Sequence, residues 1–135
     1  MKPNRMLQWL AVAAVAFGLL TVISGGRALF GGAAARAELG HIVPFVLWFN
    51  FVAGFVYVVA GAALLMAWRG AARLALLLAV STVVVLLAFM AHVASGGAYE
   101  MRTVGALSIR SLFWIAVAAF ALRAVKSASV RSNAS

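Results

Sequence analysis

The chain has 135 residues, of which 67% are hydrophobic and only 10% charged, a composition that excludes a water-soluble domain. It has no cysteine, which excludes disulfides, thiolate metal sites and cysteine nucleophiles. Its net charge is +9, but the basic residues are dispersed along short flanks of apolar segments. That distribution indicates contact with anionic lipid headgroups and argues against a nucleic-acid partner.

Four long apolar segments follow one another along the chain, at residues 6–24, 42–67, 74–93 and 104–122. Crossing about 30 Å of hydrocarbon takes about 20 residues of helix at a rise of about 1.5 Å per residue. We therefore predict an all-α fold, in which residues 1–135 form a single integral membrane four-helix bundle. The tail, residues 127–135, is rich in Ser and Asn and is predicted to be flexible.

Basic residues predict the orientation of the bundle, because short cytoplasmic loops retain Lys and Arg. With both termini in the cytoplasm, seven basic residues lie inside and four lie outside, which favours an N-in, C-in topology. Residues 25–40 and 94–105 then form two outer loops, opposite a tight inner turn at residues 68–73. The inner residues are Lys2, Arg5, Arg69, Arg73, Arg123, Lys126 and Arg131, and the outer ones are Arg27, Arg36, Arg102 and Arg110.

Small and polar residues recur at spacings of three and four within the predicted helices, which places them on one face of each helix. Small residues allow close backbone approach, so these faces are predicted to point into the bundle. Asn50 and Tyr57 stand out, because a polar group at mid-depth needs a partner or a ligand. The predicted interior positions are Gln8, Ala11, Gly18, Thr21 and Gly25 in the first helix, Asn50, Gly54, Tyr57 and Gly61 in the second, and Ser81, Ala88, His92 and Ser95 in the third.

The last apolar segment is uninterrupted only over residues 112–122, about 16 Å of helix, which is too short to cross a bilayer. Its helix must therefore begin earlier and carry Arg110 and Ser111 below the outer interface. A guanidinium at mid-bilayer costs about 2.5–3.5 kcal/mol on insertion scales. The only acidic residues are Glu38 and Glu100, both on the outer side, so we predict an ion pair between Arg110 and one of them.

Most residues able to support chemistry fall on the outer side of the predicted bundle. One interpretation of this cluster is structural: a glutamate pairs with Arg102 or Arg110, and each histidine caps a helix or contacts a headgroup. A second is a copper or zinc site, since imidazole, carboxylate and thioether are suitable ligands. Four arginines on the same side oppose the binding of a cation. The metal ligands would be Glu38, His41, His92, Glu100 and Met101, with Tyr99 beside them.

The third interpretation is a redox cofactor between the second and third helices. His41 begins one helix and His92 ends its antiparallel neighbour, so the two imidazoles are predicted to lie at similar depth. They would be axial ligands of a b-type haem, with Arg102 or Arg110 pairing with its propionates. Alternatively, one histidine and either Tyr57 or Tyr99 would hydrogen-bond a quinone head group.

Two segments carry a resemblance to a known family. WFNFVAGFVYVVAGAALL, at residues 48–65, and RGAARLALLLAVSTVVVLLAFMAH, at residues 69–92, resemble the second helix, arginine-bearing turn and third helix of DoxX-like small four-helix bacterial membrane proteins. The resemblance covers about one third of the chain, and the first helix lacks an arginine expected in that group. It implies a location in the bacterial inner membrane and a redox-linked accessory role.

The sequence therefore favours a small non-catalytic subunit or accessory protein of a larger, redox-linked membrane complex, with lipid and other membrane subunits as partners. The alternative is a protein that binds its own b-type haem, quinone or copper ion at the outer cluster. Enzymatic activity is not favoured. Ser95, His92 and Glu100 supply the residue types of a hydrolytic triad, but no nucleophile elbow surrounds the serine.

Overall fold

The computed structural model describes residues 4–135 and consists of five helices. Four of them, all except α2, are long and apolar enough to cross a membrane. This confirms the predicted all-α membrane bundle, and the chain is a multi-pass helical membrane protein. The helices are α1 (Arg5–Phe30), α2 (Gly32–Leu39), α3 (Pro44–Leu65), α4 (Ala71–Ala94) and α5 (Met101–Ala134).

Local sequence explains where several helices begin. The Asn4 side chain accepts a hydrogen bond of 2.8 Å from the Leu7 N–H and so caps α1. Pro44 occupies the start of α3, where its fixed φ suits the helix and its missing N–H removes no helical hydrogen bond. The short helix α2 forms within the predicted outer loop, because its alanine-rich sequence has high helix propensity. Residues 31–43 and 95–100 lie together at what we call the loop end of the bundle.

The tightest packing joins α1 to α3 through glycines. A β-carbon on Gly18 would lie 2.7 Å from the Gly54 carbonyl oxygen, and one on Gly61 would lie 2.7 Å from the Ala11 carbonyl oxygen. Only glycine allows the two backbones to approach this closely. The predicted interior faces of these helices are therefore confirmed, except that Gln8 is exposed and Asn50 is only partly buried.

Helix α4 packs mainly on α5 and less closely on α3, so the predicted contact between the second and third long helices exists but is the weaker one. The predicted interior face of α4 is wrong, since Ala88 and Ser95 are exposed and Ser81 and His92 are only partly buried. Alanines form the buried face instead, because a stripe of small side chains allows close approach to α5 as well as a polar stripe would. The buried residues of α4 are Ala71, Ala72, Ala75, Leu78, Ala79, Thr82 and Phe89.

Helix α5 begins at Met101, well before the apolar segment at residues 112–122, as the length argument requires. Arg110 and Ser111 therefore lie inside the helix, and Ser111 is buried. The helix continues to Ala134, so most of the tail predicted to be flexible is helical in the structure. No glycine or proline follows Gly105, which leaves no residue that would end the helix earlier.

Candidate functional site

Both acidic residues have partners at the loop end. The Glu38 carboxylate accepts a hydrogen bond of 3.3 Å from Arg27, and the two side chains are 70% and 68% exposed. Glu100 accepts a hydrogen bond of 3.0 Å from the backbone N–H of His41. Gly40 packs directly against the Glu100 carboxylate at a φ of 73°, a position where a β-carbon would collide with it. These contacts fasten the linker before α3 onto the start of α5.

Two arginines bind backbone carbonyl groups at the same end. Arg36 donates to the carbonyl oxygens of Ala28 and Leu29, at 3.3 and 3.0 Å, near the C-terminus of α1. Arg102 donates to Leu39 at 3.2 Å, with a longer contact of 3.5 Å to the Glu38 carbonyl oxygen. The last carbonyls of a helix lack helical donors and carry partial negative charge, so arginine satisfies them well. Arg36 and Arg102 thus hold α2 in place.

The two histidines have different neighbours in the structure. The His92 ring lies against Phe89 and Phe45, with its Nε2 3.1 Å from the Ala98 carbonyl oxygen. His41 is exposed and lines a different space beside Glu100. The haem or shared metal ion predicted between these imidazoles therefore stays a prediction.

The other predicted metal ligands are also dispersed. Met101 is 68% exposed at the first position of α5. Glu38 and Glu100 make the contacts described above, with Arg27 and with the His41 backbone. Within residues 4–135, no three His, Cys, Asp or Glu side chains lie close enough together to hold a metal ion.

Arg110 does not contact either glutamate. Its guanidinium carbon lies 5.3 Å from the centre of the Phe17 ring, inside the bundle. Among residues 4–135, the only ion pair is the one between Arg27 and Glu38. The predicted pair with Glu38 or Glu100 is replaced by a cation–π contact, because Arg110 lies about two turns deeper along α5 than the loop end. The chain has no third acidic side chain that could serve as its counter-ion.

Arg110 belongs to a group of side chains from all four long helices, which we call the mid-bundle cluster. Phe17, Tyr57 and Thr82 each lie near the middle of their helices, which places the cluster near mid-depth. The Tyr57 ring stacks on Phe17 at 5.7 Å and lies 4.9 Å from Trp114. The cluster consists of Phe17 from α1, Tyr57 from α3, Thr82 from α4, and Arg110 and Trp114 from α5, while Asn50 lies about two turns from Tyr57 along α3, towards the loop end.

Most polar atoms of the mid-bundle cluster are buried without a hydrogen-bond partner among the described residues. They are Tyr57 Oη, Arg110 Nε, Arg110 Nη1 and Trp114 Nε1, although the Tyr57 hydroxyl lies beside Thr82 and Trp114 and interacts with both; Asn50 Oδ1, farther along α3, is buried without a partner as well. Thr82 is the exception, since its hydroxyl donates to the Leu78 carbonyl oxygen at 2.6 Å. Each unsatisfied buried group costs about 1–3 kcal/mol, more when it is charged. The two unpartnered nitrogens of Arg110 are the costliest of these groups and make this region the candidate site.

A cavity of about 230 Å³ lies at the loop end, between α3 and the first turns of α5. His41, Glu100 and Arg102 lie at its mouth, and apolar side chains of α3 and its preceding linker form one wall. The lining residues farthest along α3 and α5 are Asn50 and Ala106. Asn50 shares a helix face with Tyr57, and Ala106 is one turn before Arg110. Arg110, Tyr57 and Trp114 do not line the cavity themselves, and its lining ends one turn of α5 before Arg110.

The sequence predicted only part of this site. It identified Arg110, Tyr57 and the need of Asn50 for a partner, but not Phe17, Thr82 or Trp114. The spacing of four between Arg110 and Trp114 places them on one face of α5 and was a usable signal. Phe17 and Thr82 offered no comparable signal, because they belong to the site only through the packing of helices distant in sequence.

Comparisons with known proteins identify no relative of this chain. No family model matches the chain, and no curated protein or solved structure is similar to it. The resemblance to DoxX-like proteins therefore stays a prediction, and the site must be interpreted from its own chemistry.

Proposed function

We propose that the protein is a non-catalytic binding protein of the bacterial inner membrane that holds a lipid-soluble molecule by its head group. The head group lies in the mid-bundle cluster, and the cavity from the loop end provides the entry. The observation that carries the proposal is the guanidinium of Arg110, placed inside a membrane bundle without a counter-ion. The accessory role in a larger, redox-linked complex that the sequence predicts is compatible with such binding and remains a prediction.

The free-energy cost of burying the Arg110 guanidinium argues against a purely structural role for this residue. Placing a guanidinium at mid-bilayer costs about 2.5–3.5 kcal/mol on insertion scales. The Phe17 contact returns about 0.5–2 kcal/mol, and the unpartnered Nε and Nη1 atoms add a further cost. An ordinary apolar side chain would avoid this deficit. A residue that destabilises the empty bundle is explained if it stabilises a complex.

The proposal predicts that a molecule purifies with the protein and depends on Arg110. Wild type and Arg110→Gln are purified in mild detergent from bacterial membranes, and bound organic molecules are extracted and identified by mass spectrometry. We expect a near-stoichiometric molecule with the wild type and its loss from Arg110→Gln. Arg27→Gln, which removes a cation from an exposed ion pair, is the matched control and should retain the molecule. Equal recovery from wild type and Arg110→Gln would contradict the proposal.

The N-in, C-in topology that places the loop end outside is part of the same proposal. Reporter fusions at Ala71 and Ser135 should report a cytoplasmic location, and a fusion at Gly97 a periplasmic one. A cytoplasmic location for Gly97 would reverse the side from which the cavity opens.

A further inference from the structure

We infer that the bound molecule is an anionic amphiphile whose carboxylate-type head group lies between Asn50 and Arg110, with its short chain in the cavity above. This inference rests on the proposed function and specifies the ligand class for the same site. It concerns the interior of the bundle, not the cluster of histidines and glutamates at the loop end.

The charge of the interior points to an anion. Arginine stays protonated in proteins, so Arg110 brings one positive charge to the mid-bundle cluster. Glu38 and Glu100 are the only acidic side chains, and both make contacts at the loop end. A neutral head group would hydrogen-bond the guanidinium but leave its charge uncompensated in a medium of low dielectric constant. A carboxylate does both, and charge-assisted hydrogen bonds are roughly twice as strong as neutral ones.

The hydrogen-bonding groups of the site agree with this assignment. Arg110 Nε, Arg110 Nη1 and Trp114 Nε1 are donors only, and the Tyr57 hydroxyl can donate. An ionised carboxylate is an acceptor only, so it matches a set of donors without leaving one of its own groups unsatisfied. The unpartnered Asn50 Oδ1 is an acceptor, but a flip of the amide presents the NH₂ group in its place.

The cavity explains why an amphiphile fits better than a simple ion. Between its mouth and Asn50 the wall is formed by apolar side chains, among them Val43 and Val46. Its volume of about 230 Å³ lies below the range of about 300–1,000 Å³ of drug-sized sites, which suits a head group with a short chain. At the mouth, the positive charge of Arg102 offsets the negative charge of Glu100. Arg110 follows the lining residue Ala106 by one turn of α5, and its guanidinium lies over the Phe17 ring.

The test is a binding measurement with probes that share a chain and differ in the head group. Octanoate, octan-1-ol, octylamine and a short-chain benzoquinone are titrated into protein in lipid nanodiscs. The readout is fluorescence of Trp114 in a variant whose other tryptophans, Trp9, Trp48 and Trp68, are replaced by phenylalanine. We expect octanoate to bind at least about tenfold more tightly than octan-1-ol or octylamine.

Variants assign the binding to the proposed atoms. Arg110→Gln should weaken octanoate binding by at least about tenfold, while Arg110→Lys, which keeps the charge, should weaken it less. Arg27→Gln should bind octanoate like the wild type, because its side chain lies on the exposed surface. Circular dichroism melting of each variant shows whether a loss of binding reflects loss of the fold, and Arg110→Lys provides the second test if Arg110→Gln does not fold.

The possible failures separate the two proposals. If octan-1-ol or the benzoquinone binds Trp114 as tightly as octanoate and needs Arg110, the anionic class is wrong while the proposed binding function stands. Octanoate binding that is equal in wild type and Arg110→Gln overturns the placement of the head group. If no probe binds and no molecule purifies with the protein, both the inference and the proposed function are wrong.

Discussion

The loop end and the mid-bundle cluster contrast sharply in how their polar groups are satisfied. At the loop end, Glu38 and Arg27 are 70% and 68% exposed and yet bonded to each other. In the mid-bundle cluster, Tyr57 and Trp114 are fully buried and Arg110 is partly buried, yet Nε and Nη1 of Arg110 have no hydrogen-bond partner in the described chain. The charged residues that are concentrated at the loop end therefore serve to hold the loops together. The interior has few charged residues, and there the candidate site is identified by buried polar atoms that lack hydrogen-bond partners.

The largest difference between the two regions is expected from loss of an aromatic ring. Trp114 is fully buried against Tyr57 and Phe113, so Trp114→Ala should lower the free energy of unfolding by about 3–5 kcal/mol through the cavity it leaves. Tyr99, at the loop end, is 36% exposed and touches Phe89 edge-on, so Tyr99→Ala should cost less than half as much. Unfolding in mixed micelles with a denaturing detergent measures both. Equal losses would show that the cluster is no better packed than the loops.

A smaller effect, but one of opposite sign in the two regions, is expected from replacing arginine with methionine. In ligand-free protein, Arg110→Met should raise the free energy of unfolding by about 1–4 kcal/mol, because it removes a buried charge with no counter-ion. Arg102→Met should lower it, because Arg102 donates to the carbonyl oxygens of α2. The same micelle unfolding assay applies. If Arg110→Met destabilises the ligand-free protein, the guanidinium is compensated within the bundle and the comparison fails.

The smallest effect is expected for the ion pair at the loop end. A double-mutant cycle with Arg27→Ala and Glu38→Ala should give a coupling energy below about 1 kcal/mol, because both side chains are exposed. The coupling should decrease further when the ionic strength is raised from about 0.01 to 1 M, since the Debye length falls from about 30 to 3 Å. A coupling well above this value, insensitive to salt, would mean that the loop end is shielded from water.

Much of the fold could be predicted because its signals are local. Helix length and hydropathy identified four membrane spans, and the short apolar segment of α5 required a start before Arg110. The glycine pattern identified the contact faces of α1 and α3, where Gly18 lies against Gly54. On α4 the same reasoning failed, because alanines pack closely without any polar signal, as Ala75 and Ala79 do.

The candidate site could be predicted only in part, because its members lie far apart in sequence. The chain alone predicted that Arg110 enters the membrane, since the uninterrupted apolar segment at residues 112–122 is too short to cross by itself. It also determined that only two carboxylates exist to neutralise that charge. Tertiary packing decided the rest: both glutamates are fastened at the loop end, while Phe17 and Trp114 are brought beside Arg110 and Tyr57. Hydrophobic length is a property of each segment, whereas the partner of a buried charge depends on which helices pack together.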